Sequence, residues 1–374
     1  MNGYFGNILY VDLTQKSKKI EKFDDVLARN YLGGNGFTAK VLFDLVPPGV
    51  DPLAAENAVV FAVGPWTDTA IPSASRACVA SKSPLTGLFF DSTFGGAWPS
   101  TFKRAGYDAL VITGRAEKPT YLVVTDEGVR FREAGELWGR PIRESCDRIC
   151  EREGGRVDVM AIGPAGENRV RLACMVHTWR KSRDGIAGRG GIAAVLGSKN
   201  LKAVAVGGKA KFPIHDAKAL RDFVNQTAAQ VRTGTKGLHT YGTPILVNMI
   251  NALGALGSHN LQREVFEACK PISGEVMREH YLDKDTTCYK CPIACGKDYE
   301  MNEGEFRGTR WKMPEYETIF ALGTMLGNSN PGSLLKGNML CDELGLDTIS
   351  LGVTMSLLWE CYEKGLVSKA DLGF

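Results

Sequence analysis

Up to residue 208 the chain alternates short apolar runs, rich in β-branched residues, with glycine and proline punctuation. NILYVDL, AVVFAVG, DALVITG, YLVVTDEGVRF, VDVMAIG and KAVAVGG all have the length and boundaries of strands. DDVLARNYLGG and PIRESCDRICEREGG between them predict helices, the second with apolar residues at helical spacing and glycine at its end. KFPIHDAK, at 211–218, marks a boundary: it closes a strand, holds a proline and precedes a change of period. From Ala217 onward the spacing is helical, in ALRDFVNQTAAQVRT, PILVNMINALGAL, ETIFALGTMLGN, GSLLKGNMLCDELG and SLGVTMSLLWECYEKG. The predicted class is α+β, with a β-rich base domain over 1–210 and a mostly helical domain over 211–374. Neither long internal repeats nor low-complexity tails are visible in the sequence.

Composition narrows the function classes. Hydrophobic residues make up 44% and charged residues 23% of the 374, and the net charge is +3, which argues against a nucleic-acid partner or a membrane-surface field. No run reaches the roughly 18 apolar residues that span a bilayer. MNGYFGNILYVDL lacks a basic segment followed by an apolar stretch, so a signal peptide is not expected. Ten Cys without such a signal read as reduced thiols and metal ligands in a cytoplasmic protein.

The chain has 43 glycines, and local clusters of them stand in YLGGNG (31–36), DSTFGGAW (91–98, holding Gly95 and Gly96) and GIAGRGG (185–191, holding Ala187, Gly188 and Arg189), with IPSASR at 71–76 a further loop of this kind. Such segments are either ordinary tight turns or loops whose backbone N–H groups hold an anionic cofactor, with Arg76 and Arg189 as forked donors. None fits a dinucleotide or P-loop fingerprint. GIAGRGG, entering a short helix and then a strand, is the best candidate for a pyrophosphate cradle.

TTCYKCPIACGK carries the sharpest chemistry. Cys288, Cys291 and Cys295 follow C-x2-C-x3-C, a spacing that brings three thiolates onto one small object, and a [4Fe–4S] cube takes four. A structural zinc site usually draws on two ligand pairs; there is no second pair, and none of the five His lies near the run. Three buried thiols or a zinc site remain the alternatives. MPEYET (313–318) places Glu315 and Glu317 at the head of a helix, where a carboxylate either satisfies the macrodipole or moves protons in a closed site. CDELGLD (341–347) reads as a helix C-terminus with a closing glycine.

Together these segments, in this order, resemble the tungsten-containing aldehyde:ferredoxin oxidoreductase family. GNILYVDLT, YLGGNG, PPGVDPLAAEN, SKSPLTG, KRAGYDALVITGRAEKP, AIGPAGEN, AGRGG, LGSKNLKAVAV, YGTPILVN, CYKCPIACGK, PEYE and CDELGLDTIS carry the resemblance from Gly3 to the end. It implies a two-sheet base on which a tungsten (or molybdenum) bis-pyranopterin lies, a [4Fe–4S] cluster held by the cysteine trio, and ferredoxin as electron acceptor. Arg76 matches the arginine between pterin and cluster. Thr93 and Ile186 fall where backbone carbonyls help hold a Mg2+ bridging the pterin phosphates. Asp342, Gly345, Leu346 and Asp347 match a pterin-holding D-x-x-G-L-x segment, and Glu317 matches the acid beside the metal.

Three departures accompany the match. By the resemblance, the family's second D-x-x-G-L-C segment, with the fourth cluster cysteine, is expected beyond Phe374, as are a third domain and a catalytic histidine. Lys336 and Met339 stand where some members carry E-x-x-H for an intersubunit metal. HTWRKSRDG (177–185) replaces a shorter stretch bearing His-Arg, with Arg180 or Arg183 as the expected substitute. The implied activity is oxidation of a small-molecule aldehyde to a carboxylate. A reductase of aromatic thioesters from the same family, a pterin-free iron–sulfur protein and an inactive fragment are the rivals. The sequence leaves the substrate, the choice of tungsten or molybdenum, and homo-oligomer formation open.

Overall fold

The computed structural model describes residues 1–178 and 185–373. Arg180 and Arg183 lie outside the described residues. The chain forms two compact units, the first comprising Met1–Val231 with Thr287–Pro292 and Glu343–Leu346, the second the remainder.

Two six-stranded sheets build the first unit. One consists of β1 (Asn7–Asp12), β2 (Ser17–Lys22), β3 (Val59–Val63), β4 (Ala77–Lys82), β5 (Phe89–Phe94) and β6 (Ala109–Thr113), in the order β2-β1-β6-β3-β4-β5. The other consists of β7 (Thr120–Thr125), β8 (Gly128–Glu133), β9 (Asp158–Ile162), β10 (Met175–Thr178), β11 (Gly185–Ala187) and β12 (Leu201–Val206), in the order β8-β7-β12-β9-β10-β11. These orders are the same topology, and in each sheet the first and last strands pair in parallel while every other pairing is antiparallel. The repeat absent from the sequence is therefore present in the strand connections.

Face alternation explains why the central strands read as unbroken apolar runs. Val59, Phe61 and Val63 of β3 and Leu122 and Val124 of β7 enter one core shared by the two sheets. Val60 and Ala62 turn to the outer face, against Phe37, Val41 and Leu42 of the helix Asn35–Leu45. Tyr121 and Val123 face outward against Ile142, Cys146 and Ile149, the i, i+4, i+7 stripe of the helix Ile142–Arg152. A strand buried on both faces has no polar side to alternate with.

Each sheet feeds its fifth strand through a glycine turn into a helix inside the shared core: Trp98–Arg104 after β5 and Ile192–Ser198 after β11. Trp98 is fully buried, stacks on Phe102 at 5.1 Å and donates its indole N–H to the Val204 carbonyl at 3.0 Å.

The second unit is mostly helical, led by Pro331–Leu344 and Thr348–Glu363, and adds a small antiparallel sheet of β13 (Leu282–Thr286), β14 (Gly296–Glu300) and β15 (Arg310–Lys312). Helical spacing alone places the cysteine run between helices; instead it connects β13 to β14. The charged run LDKDT hides that strand, because β13 is an edge with mostly exposed side chains and so carries no apolar signature. Among the described residues no helix is long and apolar enough to cross a membrane.

Candidate functional site

The two glycine turns meet backbone to backbone. Gly185 opens β11, and a Cβ built on it would stand 2.3 Å from the Gly95 carbonyl oxygen, so only glycine admits this approach. Both turns are tied to the ends of one strand, β4. Ser75, before it, donates to the Gly96 carbonyl at 2.9 Å, and Ser83, after it, donates to the Gly190 carbonyl at 2.7 Å.

Beside the first turn lies a cavity of about 600 Å3 lined by Gly33, Gly34, Asn35, Arg76, Cys78 and Thr93. Arg76 and Thr93 are exposed and available to a ligand, whereas Cys78 is buried. Burial, reinforced by the nearby Asp91 carboxylate, pushes the Cys78 thiol up to about 12, despite a contact with Thr38 Oγ1. Cys78 is thus a packed thiol without thiolate character. Asn35, on the cavity lining, donates to the Asp91 carboxylate at 2.6 Å. Ile186, Ala187 and Gly188 follow in the second turn's strand and loop, where Ile186 pairs with Val176, and Arg189 is exposed at its tip.

The first half of the cysteine loop belongs with this unit. A Cβ on Gly95 would sit 3.0 Å from Cys288 Sγ and 3.6 Å from Arg76 Nη1, so the turn forms a shallow seat shared by thiol and guanidinium. The Tyr289 N–H donates to the Gly96 carbonyl at 3.3 Å, and Ser73 Oγ lies 3.4 Å from Cys291 Sγ. Thr287 Oγ1 donates to the Cys291 carbonyl at 2.8 Å, and the Cys291 N–H returns to the Cys288 carbonyl at 3.1 Å. Arg104 covers the Tyr289 ring at 4.9 Å.

The second half, from Ile293, belongs to the second unit, where His239 Nδ1 lies 2.9 Å from the Ile293 carbonyl. Lys297 is fully buried; its ammonium donates to the Ala294 and Gly296 carbonyls, both at 3.1 Å, and pairs with Asp285 at 3.0 Å. Burial lowers its pKa, against the opposing pull of Asp285.

Each of the later two cysteines follows a non-glycine residue in the left-handed region, Lys290 at φ 54° and Ala294 at φ 49°. Such residues cost about 1–2 kcal/mol each and persist where a binding loop needs the turn. No disulfide joins any of the ten thiols, all of which lie among the described residues. The trio is half-buried, where Cys78, Cys146, Cys174, Cys269 and Cys341 are buried. Soft, accessible thiols on a strained loop suit an iron–sulfur cluster, and the glycine floor with its arginine suits an anionic cofactor. Among the described residues no three His, Cys, Asp or Glu side chains already form a metal cage.

Of the remaining sequence candidates, Glu317, Asp342 and Asp347 belong to the second unit and Gly345 and Leu346 to the first. Glu317 is exposed in the first turn of the helix Tyr316–Leu322. Glu315 caps that helix indirectly: Thr243 Oγ1 donates to its carboxylate at 2.5 Å and accepts the Tyr316 N–H at 3.0 Å. Asp342 is buried, takes the Trp311 indole N–H at 2.7 Å and pairs with Lys312 at 3.3 Å. Asp347 is the N-cap of Thr348–Glu363, accepting from the Ile349 and Ser350 N–H groups. Between them Gly345, at φ 76°, ends the preceding helix; its carbonyl accepts the Cys174 N–H at 2.8 Å, and Leu346 bridges to Ala173. Sequence reasoning missed Ser75, Ser83, Lys297 and the buried His177. For His177 the one signal available was a polar residue following the apolar Met175 and Val176 in one strand.

Residues 8–208 match the family model described as aldehyde ferredoxin oxidoreductase, N-terminal domain, and residues 218–374 match that described as aldehyde ferredoxin oxidoreductase, domains 2 & 3. The whole chain is 40% identical to a tungsten-containing aldehyde ferredoxin oxidoreductase of Pyrococcus abyssi and spans 61% of that relative's length. It is 30% identical to the WOR-like subunit of an aliphatic sulfonate oxidoreductase of Pyrococcus furiosus, spanning 62% of it. Among solved structures, the active-site complex of a benzoyl coenzyme A reductase with 1,5-dienoyl-CoA superposes with a TM-score of 0.86 at 28% identity, covering 99% of this chain and 57% of that one.

Proposed function

The chain belongs to the aldehyde ferredoxin oxidoreductase family, and from that premise we propose that it serves the two-electron oxidation of an aldehyde to a carboxylate, with ferredoxin as acceptor. In balance, aldehyde and water give carboxylic acid, two electrons and two protons. The observation that carries the reading is the seat at Gly95, where Cys288 Sγ and Arg76 share one glycine turn at the edge of a glycine-lined cavity.

In this reading a tungsten (or molybdenum) bis-pyranopterin would supply two-electron redox chemistry and a [4Fe–4S] cluster one-electron transfer. Cys288, Cys291 and Cys295 would be three of the cluster's ligands. Arg76 shares the Gly95 seat with Cys288, where its guanidinium would donate to an anionic pterin and offset the negative charge of the thiolates. The Gly95–Gly96 and Ala187–Arg189 turns offer backbone N–H groups and the Arg189 fork to phosphate oxygens, and the carbonyls of Thr93 and Ile186 suit a hard cation such as Mg2+. Asp342, Gly345, Leu346 and Asp347 present a second pterin-holding segment. Glu317 takes up the proton released as water adds to the aldehyde carbonyl.

The relatives' names support the aldehyde reading, and the benzoyl coenzyme A reductase neighbour supports a second: reduction of an aromatic thioester on the same scaffold. Anaerobic assays with a low-potential dye separate them. Aldehyde-dependent dye reduction supports the first reading. Dye-dependent reduction of an aromatic thioester without aldehyde activity replaces it with the second. If neither reaction occurs in protein carrying both metals, the proposal fails.

A further inference from the structure

We propose that His177, with Gly185 opposite it on the neighbouring strand, is a positioning residue for the Cys288 thiol. The helix Trp98–Arg104 begins inside the shared core with no side-chain cap of its own. Its first N–H groups have no intrahelical acceptor and, so deeply buried, need one from elsewhere. His177, on β10 of the other sheet and fully buried, supplies it: the N–H groups of Ala97 and Trp98 donate to its Nε2 at 3.4 and 3.3 Å. Accepting two donors leaves Nε2 without a proton, so Nδ1 carries the hydrogen and donates it to the Val159 carbonyl at 2.9 Å. The ring thereby links β9 to the glycine turn of the first sheet.

The same strand pair fixes the turn from a second direction. His177 is paired in register with Gly185, whose missing side chain admits the Gly95 carbonyl. From there the contact runs directly to the cysteine loop, because Gly95 abuts Cys288 Sγ and the Gly96 carbonyl holds the Tyr289 N–H. The hydrogen bonds of His177 described above reach neither thiol nor cavity. It acts by holding the turn at the one height that seats Cys288.

The inference rests on Cys288 being a cluster ligand only for its redox consequence; the positioning itself can be read without metal. In the metal-free full chain, alkylation by iodoacetamide is followed at each cysteine by peptide mass spectrometry. His177→Leu leaves two buried N–H groups unpaired, which should loosen the turn, so Cys288 should react about fivefold faster or more. His177→Gln, whose amide oxygen can accept the same donors, should stay near the wild-type rate. Gly185→Ala drives a Cβ into the Gly95 carbonyl and should reproduce the acceleration even if His177→Leu fails to fold. Val123→Ala, on the outer face of the second sheet, should lower the melting temperature without changing Cys288. Cys288 rates in His177→Leu and Gly185→Ala that equal those of the wild type, or of Val123→Ala, overturn the proposal. Wild-type protein that takes up no iron on anaerobic reconstitution would overturn the ligand assignment instead and leave the alkylation result intact. If iron is taken up, His177→Leu should alter the electron paramagnetic resonance spectrum of the reduced cluster, and His177→Gln should not.

Discussion

The two sheets of the first unit share a topology and differ in how they dispose of charge. The buried helix of each is followed or closed by a lysine with no exposed surface, Lys103 in one and Lys199 in the other. Lys103 pairs with buried Asp108, which also accepts the N–H groups of Phe5, Gly6 and Asn7. Lys199 instead donates its ammonium hydrogens to the Ala55 and Gly114 carbonyls, at 2.9 and 3.1 Å. Lys103 thus adds a counter-charge to its carbonyl partners Gly3 and Gly64, whereas Lys199 bonds to carbonyls alone; the second sheet keeps its own buried ion pair elsewhere, Lys202 with Glu167. Topology fixed where the lysines come, and local chemistry decided what each could bind. The glycine turns follow the same logic, since the first receives Cys288 and the second presents Arg189.

The heaviest loss should come from breaking the first sheet's pair. Asp108→Ala leaves Lys103 buried without a counter-charge and strands three N–H groups, so denaturant unfolding should show a loss of about 3–5 kcal/mol. Lys199→Met, which abandons two carbonyls but no opposite charge, should cost less, about 1–3 kcal/mol. Equal losses would mean the two lysines are not differently compensated.

A smaller difference should appear with pH. Burial, with the charge of Arg115 adding to it, lowers Lys199 to about 8 from the usual 10.5. Between those values the unfolded chain holds the proton that the folded chain has released, so folding stability should rise with pH there. From about pH 8 to about 9.5 the wild type should gain about 1–2 kcal/mol relative to Lys199→Met, and a flat difference curve would contradict the assignment.

The mildest substitutions are those of the two ties of β4. Ser75→Ala and Ser83→Ala should each cost about 1 kcal/mol, and only Ser75→Ala should also speed alkylation of Cys288, because its partner Gly96 holds Tyr289. Acceleration in both, or in neither, would show that the turns do not act separately.

How far the sequence carried depended on unbroken apolar runs. Strands β1, β3, β6, β7, β9 and β12 were legible from such runs, whereas β4, ACVASK, was missed although it is buried, because Ser81 and Lys82 cut its run short. The edge strands β2, β5 and β11 were not: SKKIEK is charged and exposed, FFDSTF is mixed, and GIA is three residues long. Trp98–Arg104 escaped notice because Pro, Ser and Thr fill much of a helix buried on all sides, where periodicity has no polar face to mark. The duplicated topology left no echo in residue identity, since strand order is a property of pairing. At the site, the cysteine trio was legible because its thiols are close together in the chain. His177 was not, for its partners are backbone N–H groups of residues 79 and 80 positions away.

Elemental analysis of the anaerobically purified full chain decides whether Cys288, Cys291 and Cys295 bind an iron–sulfur cluster, and whether tungsten or molybdenum accompanies it. About four iron per chain are expected, together with tungsten or molybdenum, and the iron should be lost in Cys288→Ala and Cys291→Ala. Zinc in place of iron, or iron unchanged by both substitutions, would rule the cluster out.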